Sequence, residues 1–127
     1  MSDTTEILAL NQKLLEAIGR GDWATYEQLC DPSLTCFEPE ARGHLVRGLD
    51  FHKFYFDLGA AEGPRTTTMA EADARVIGDV AIVAYVRLVQ TLDAAGAPVT
   101  SHYDETRIWQ RQNGRWRHIH FHRSPCG

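Results

Sequence analysis

The strongest constraint on the fold comes from the second half of the chain. Four long segments there are rich in the β-branched and aromatic residues typical of strands. Short stretches with glycine, asparagine or aspartate separate them, as in antiparallel hairpins joined by turns. The predicted strands are 66–77, 80–92, 99–110 and 116–123. One face of such a sheet is apolar, so the first half of the chain has to cover it.

The first half of the chain carries helical patterns. A first helix is predicted to begin at Asp3, with Glu6 in its first turn, and to end at Gly19 and Gly21. Asp22 is predicted to cap a second helix that stops before Pro32. The apolar residues of the first helix recur at helical spacing and are Ile7, Leu10, Leu14 and Ile18. Both helices are therefore expected to pack an apolar side against the sheet.

A third helix is predicted to begin at Asp50, after two short strands at 34–37 and 45–46. Its apolar residues follow the spacing of a helix face that packs on a core, and they are Phe51, Phe54, Tyr55 and Leu58. Helices followed by long hairpins predict an α+β fold, with the N-terminal helices packed on a strongly curved antiparallel sheet. Such a sheet, closed by helices, forms a cone with a cavity. The length of 127 residues predicts a single domain, 1–127.

Composition argues against several classes of protein. The net charge is −4, from 13 basic and 17 acidic residues, so we expect no binding to nucleic acid or to an anionic membrane surface. No apolar run is long enough to cross a membrane, and the first residues lack the regions of a signal peptide. Three cysteines without a CxxC motif, Cys30, Cys36 and Cys126, are typical of structural thiols in a reducing compartment. A cytoplasmic protein is expected.

Three arginines lie within the predicted strands: Arg87, Arg107 and Arg123. Because side chains alternate between the faces of a strand, each arginine shares its face with apolar neighbours such as Tyr85 or Phe121. Two interpretations fit this pattern. The arginines are structural ion-pair partners of glutamates, or they line a pocket for an anion. The candidate glutamates are Glu38, Glu40 and Glu105.

Whether these arginines share one surface depends on the turn at 113–114. A two-residue turn would pair Gln112 with Arg115, whereas a three-residue loop would pair Arg111 with Arg115. Only the longer loop places the arginines of the last two strands on one face. We favour the longer loop because it also groups three apolar residues into one patch, namely Trp109, Ile119 and Phe121.

The last strand carries three alternating histidines, His118, His120 and His122, which alternation alone places on one face. A His-x-His pair can chelate zinc, but the first and third histidines lie about 13 Å apart and cannot hold one ion together. A metal site would need two of them with Asp104 from the neighbouring strand, which the longer loop would place opposite His122. We favour a polar or intersubunit sheet face, and expect neither a metal nor a cofactor.

Several blocks of sequence resemble one known family over nearly the whole chain. They are FEPEA, DFHKFYF, AYVRLVQ, ETRIW and HFHRS. The chain resembles the association (hub) domain of calcium/calmodulin-dependent protein kinase II, which belongs to the nuclear transport factor 2-like (SnoaL-like) superfamily of cone-shaped, cystatin-like folds. The resemblance implies a homo-oligomer of dimers that associate into closed rings. The chain shows no kinase motifs and no basic calmodulin-target helix, so a stand-alone bacterial relative is expected, and calmodulin is not expected to bind it directly.

The resemblance also implies a polar pocket that is lined by arginines and suited to a small carboxylate. Its residues, carried over by motif, are His52, Arg87, Arg107 and Arg123, with Tyr26 and Glu38 as neighbours. We expect an anion among these arginines, because three guanidinium groups that converge repel one another.

Two other functions are alternatives to assembly. Related cones host isomerases, dehydratases and cyclases, and in such an enzyme Glu38 or His52 would move the proton while the arginines held an anionic substrate. A binding module for a separate protein is the weaker alternative. No acid/base pair with diagnostic spacing is visible, so no catalytic residue is assigned and a non-catalytic assembly domain is favoured.

Overall fold

The computed structural model describes residues 2–125 and arranges them as helices on one face of a curved six-stranded sheet. The helices are α1 (Asp3–Arg20), α2 (Trp23–Leu29) and α3 (Asp50–Asp57), with a 3-10 turn at Pro39–Ala41. The strands are β1 (Cys30–Phe37), β2 (Val46–Arg47), β3 (Thr66–Ile77), β4 (Val80–Leu92), β5 (Pro98–Gln112) and β6 (Arg115–Pro125). The strand order is β2-β1-β6-β5-β4-β3, and among these described strands only β1 and β6 pair in parallel. The predicted α+β class is confirmed. Cys126 lies outside the described residues.

The first helix matches its prediction closely. Its N-cap is Ser2, one residue before the predicted start, and the Ser2 hydroxyl accepts a hydrogen bond from the Thr5 backbone N–H at 3.1 Å. Gly21 ends the helix in the left-handed conformation, with φ of 68°. Ile7 and Leu14 are fully buried, so the apolar stripe does face the sheet. No helix in the described part of the chain is both long and apolar enough to span a membrane.

The second helix is capped by Asp22 as predicted, since its carboxylate accepts a hydrogen bond from the Thr25 backbone N–H at 3.1 Å. It ends at Leu29, so β1 begins at Cys30 and is longer than predicted.

The third helix turns a different face to the core than its apolar spacing predicts. His52 is its buried side chain, and Phe56 packs beside it. The exposed side chains, which we call the α3 apolar patch, are Phe54 (62% exposed), Tyr55 (43%) and Leu58 (71%). Only Phe51 of the predicted stripe packs against the core. The contact between His52 and Glu38 fixes the rotation of this eight-residue helix.

The turn between β5 and β6 has two residues, so the favoured three-residue loop is wrong. Gln112 pairs with Arg115, and the two turn residues, Asn113 and Gly114, have φ of 52° and 80°. Positive φ at both positions is the requirement of a type I′ hairpin turn, whose twist matches that of the flanking strands. The turn is therefore an ordinary two-residue hairpin turn. A different feature determines which residues of β5 and β6 lie on the same face of the sheet.

That feature is a β-bulge at Ile119. Trp109 pairs with His118, whereas its neighbour Ile108 pairs with His120, so Ile119 is the extra residue of β6. The extra residue reverses the alternation, and Arg123 comes to lie opposite Glu105 on the cavity side of the sheet. Arg107 and Arg123 therefore do share a face, but the bulge places them there and the predicted loop does not.

The bulge also separates the three histidines, so the prediction that they share one face is wrong. His118 is fully buried beside Trp109, at 5.2 Å between ring centroids, whereas His120 and His122 lie on the outer face. Asp104 pairs with Ser124 and not with His122, which contradicts the strand pairing of the predicted metal alternative. The predicted apolar patch is also partly wrong, since Ile119 occupies the bulge while its two partners enter the core.

Candidate functional site

The helices and the inner face of the sheet enclose a cavity of about 340 Å³, which we call the cone cavity. All six residues that the sequence associates with a ligand pocket line it, and they are Tyr26, Glu38, His52, Arg87, Arg107 and Arg123. They come from five elements of structure, α2, α3, β4, β5 and β6, and from the corner after β1. The structure thus brings the six residues together, while their role in ligand binding stays a prediction.

A buried carboxylate, that of Glu105, organises the deep end of the cone cavity. Its Oε1 accepts hydrogen bonds from the Tyr85 hydroxyl at 2.5 Å and from Arg107 Nε at 3.1 Å. Its Oε2 accepts one from Arg87 Nη1 at 3.2 Å. We call these four residues the Glu105 cluster. One carboxylate therefore separates two of the converging arginines and neutralises part of their charge, as the ion-pair interpretation predicts.

Charge in the Glu105 cluster is strongly stabilised. Burial alone would raise the pKa of Glu105, but Arg107 and Arg87 together lower it to about 2. Burial would likewise lower the pKa of Arg107, yet Glu105 and neighbouring side chains raise it above its usual value. Burial raises the pKa of Tyr85 to about 12, which keeps its hydroxyl available as a donor. The cluster is a permanent arrangement of one anion between two cations.

The arginines of the cluster retain donors that no residue in 2–125 satisfies. Nη1 of Arg107 and Nε of Arg87 are buried and lack a hydrogen-bond partner. Arg107 is 1% exposed, and its guanidinium lies 4.2 Å from the centroid of the Phe121 ring. A buried N–H group without a partner costs about 1 to 3 kcal/mol, so an acceptor inside the cavity would be favoured at this position.

A second charged group lies where the Glu38 corner meets α3. His52 Nε2 is 3.0 Å from Glu38 Oε1, and Arg123 contacts the carboxylates of both Glu38 and Glu40. Burial alone would raise the pKa of Glu38, but His52 and Arg123 lower it below its usual value. Arg123 also stacks on Tyr103, with 4.8 Å between the guanidinium carbon and the ring centroid. Two glutamates therefore compensate the charge of this arginine.

Tyr26 forms part of the apolar wall and is 1% exposed. Its ring packs at 4.8 Å from Phe56 and 6.0 Å from His52. Burial raises the pKa of Tyr26 well above its usual value. The tyrosine is therefore uncharged and shapes the cavity beside His52.

Sequence reasoning missed a set of metal-ligating side chains at the cavity wall. The donor atoms of Cys36, Glu38 and His52 lie within 4.8 Å of one another. Burial raises the pKa of the Cys36 thiol to about 12, so the thiol is protonated. Arg107 and Arg123 add positive charge on the same side, which disfavours a divalent cation. The absence of a metal stays a prediction.

Sequence reasoning also missed Arg65 as a residue of the cavity. Arg65 precedes β3 by one residue and lines the mouth of the cavity together with Thr91 and Ser101. The sequence did contain one indication of this. Arg65 is two residues from Thr67, and side chains two residues apart in a strand lie on the same face, which here is the inner face of the sheet.

Comparison with protein families matches residues 3–127 to the calcium/calmodulin dependent protein kinase II association domain. The chain belongs to this family. Members of the association domain family share the arrangement of helices and curved sheet: the hub homology domain from Chlamydamonas reinhardtii is 49% identical, with a TM-score of 0.94 and coverage of 99% of this chain and 100% of that one.

Another relative is a larger protein. The delta subunit of calcium/calmodulin-dependent protein kinase type II from Oryctolagus cuniculus is 46% identical over 122 residues, which are 94% of this chain. The chain spans 23% of the length of that relative. A protein from Streptomyces avermitilis described as a dehydratase of the NTF2-like family is 20% identical, with a TM-score of 0.79 and coverage of 98% of this chain and 96% of that one. At that identity the likeness shows the fold alone, and it supports the predicted NTF2-like architecture.

Proposed function

We propose that this association domain forms a homo-oligomer of dimers that close into a ring, and that its cone cavity binds a small carboxylate. Membership of the association domain family supports self-assembly. The observation that carries the binding proposal is the unsatisfied Nη1 of Arg107, a donor on a cation buried at the deep end of a cavity.

Two separate apolar surfaces support assembly. The first is the α3 apolar patch, whose side chains a monomer leaves in water. The second lies on the outer face of the sheet, and we call it the outer-face patch: Ile82, Val86, Leu88 and Ile108, all half-buried. The polar or intersubunit face expected on the last strand loses His118, which is buried together with Trp116. A ring of dimers requires two different interfaces, and these patches lie on opposite sides of the sheet.

Light scattering is expected to show an assembly larger than a dimer. Leu58→Asp in the α3 apolar patch and Leu88→Asp in the outer-face patch should each leave a smaller species, because a carboxylate buried in an apolar interface is costly. The double variant should be monomeric. The control is Leu92→Asp, an exposed leucine (48%) outside both patches, which should retain the full mass. A monomeric wild-type protein at all concentrations would contradict the proposal.

The chemistry of the cone cavity favours a carboxylate ligand. The Glu105 cluster holds two guanidinium groups against one carboxylate, so its net charge is positive. An arginine fork matches the two oxygens of a carboxylate, and the unsatisfied N–H groups of Arg107 and Arg87 are suited to donate to them. The apolar rings of Phe56 and Phe121 line the same space and would contact the rest of a small organic anion.

A calorimetric titration of the full chain with butanoate at low ionic strength tests this binding. Heat release that saturates in the millimolar range or below is expected, which corresponds to a binding free energy of about −4 kcal/mol or stronger. Butylamine, of the same length but positively charged, should not bind. An absence of saturable heat with butanoate throughout the millimolar range would refute the carboxylate proposal while leaving assembly intact.

Binding accounts for the cavity better than proton transfer. An enzyme of this fold would use Glu38 or His52 as acid or base, and a general base works best with a pKa near the operating pH. The pKa of Glu38 is instead lowered, since its carboxylate is hydrogen-bonded to His52 and paired with Arg123. A carboxylate stabilised in its charged form is a weak base.

A further inference from the structure

Arg65 differs from the other arginines of the cone cavity in having no ion pair or hydrogen bond within residues 2–125. Its side chain lies against the last turn of α1 at Gly19. A methyl group at Gly19 would stand 3.3 Å from Cδ and 3.4 Å from Nε of Arg65. The absence of a side chain at Gly19 therefore gives the arginine room beside the helix, at the edge of the cavity.

The mouth of the cavity and its deep end are far enough apart to bind two separate groups. Thr66, the first residue of β3, pairs with Gln90, so Arg65 lies at the level of Thr91. Arg87 of the Glu105 cluster is four residues from Thr91 along β4, which is about 13 Å of extended strand. The hydroxyl groups of Thr91 and Ser101 line the same mouth. The cavity thus carries a cationic group towards each end.

Once the ion pairs are counted, both ends of the cone cavity carry a positive charge. At the deep end, Arg87 and Arg107 share the single carboxylate of Glu105. At the side wall, Glu38 and Glu40 outnumber Arg123, so this wall carries no excess positive charge. At the mouth, Arg65 has no carboxylate partner in the described residues. One uncompensated positive charge therefore lies at each end of the cavity.

We propose that the ligand class of the cone cavity is a dicarboxylate, with one carboxylate at Arg107 and the second at Arg65. This inference rests on the proposed carboxylate site and deepens it. Val89, which lies between Arg87 and Thr91 along β4, lines the space between the two ends and suits a chain of methylene groups. One arginine and two hydroxyl groups match a singly charged carboxylate at the mouth, whereas a phosphate carries more charge than this end compensates.

Paired titrations separate the second carboxylate from the rest of the ligand. Adipate is compared with hexanoate and glutarate with pentanoate, so that each pair differs only in one terminal carboxylate. The wild-type chain should bind the dicarboxylate of at least one pair about three- to tenfold more tightly, as expected for one charged contact at a partly exposed site. Arg65→Gln should abolish that preference, so that the dicarboxylate and the monocarboxylate of each pair bind this variant equally.

The matched control is Arg20→Gln, because Arg20 borders the same outer groove as Arg65 but does not line the cone cavity. This control should retain the preference, which excludes a general effect of lost positive charge. Monocarboxylate binding without a preference for dicarboxylates, or a preference that survives in Arg65→Gln, would overturn the inference and leave the proposed function standing. If neither class of ligand binds the wild-type chain, both proposals fail.

Discussion

Replacing Glu105 with glutamine is expected to lower the free energy of unfolding by about 3 to 5 kcal/mol. The substitution keeps the shape of the side chain but removes the one negative charge between Arg87 and Arg107. Two buried guanidinium groups would then face each other without compensation, and Arg107 has almost no access to water. Urea denaturation of the purified variant measures the effect. The control is Glu27→Gln, an exposed glutamate on α2, which should change stability by less than about 0.5 kcal/mol.

The same cluster predicts how stability depends on pH. The pKa of Glu105 is lowered to about 2 in the folded chain from the ordinary value of 4.5. A group whose pKa is lowered by folding stabilises the protein above its unfolded pKa, so this contribution should be complete above pH 5 and disappear as the pH falls towards 2. The Glu105→Gln variant should lose less stability over that interval than the wild-type chain. A variant as stable as wild type at neutral pH would show that the cluster contributes little.

Arg107→Leu is expected to reduce the affinity for butanoate by at least tenfold, a larger loss than for any single change at the rim. The variant removes the unsatisfied Nη1 donor and half of the positive charge of the Glu105 cluster. The control is Arg20→Ala, whose side chain is 60% exposed and lies outside the cavity; it should leave the affinity unchanged. Calorimetry measures both. Equal affinities in the two variants would place the ligand elsewhere.

Stability has to be measured alongside binding, because Arg107→Leu leaves Glu105 with a single cationic partner and should destabilise the chain by about 3 kcal/mol. Arg107→Lys separates the two effects. Lysine keeps the positive charge, so folding should suffer less, but it lacks the planar fork and should still bind butanoate more weakly. Wild-type affinity in Arg107→Lys would show that charge alone holds the ligand.

The periodicity of apolar residues predicted the helices and strands of this fold, because the pattern is clear in each of the long segments. The bounds of β3 and β4 agree with the prediction at both ends, since β-branched residues recur along each segment and the turn at Gly78 separates them. The cover formed by α1 was also predictable, because Ile7 and Leu14 recur at helical spacing.

Sequence patterns gave wrong predictions where a contact between distant parts of the chain determines the structure. The spacing of Phe54 and Leu58 marks an amphipathic helix but does not say whether its apolar side meets the core of the same chain or a different surface. In the structure α3 is oriented so that His52 contacts Glu38, and nothing in the sequence pattern indicates this orientation. The bulge at Ile119 was equally hidden, because an isoleucine in a strand is ordinary and only the paired strand reveals that it is extra.

The sequence predicted which residues line the cone cavity, but it did not predict how their charges are paired. Motif resemblance identified the residues that line the cavity, including His52 and Arg123. It did not indicate that Glu105 would lie between two of the arginines, because alternation places residues on a face without saying which heads touch. Nor did it reveal Arg65, which lies outside every quoted block of sequence.

The extra residue at Ile119 has a consequence for how chains of this kind are aligned and redesigned. Between the turn at Asn113 and the HFHRS block, one residue decides whether Phe121 and Arg123 enter the cavity or face outward. Deleting one residue there leaves the rest of the strand sequence unchanged. It nevertheless moves the cavity-facing side chains to the outer face and the outer side chains into the cavity. Spacing, in addition to residue identity, is therefore part of what a homologue or an engineered variant must preserve to keep an arginine at this wall.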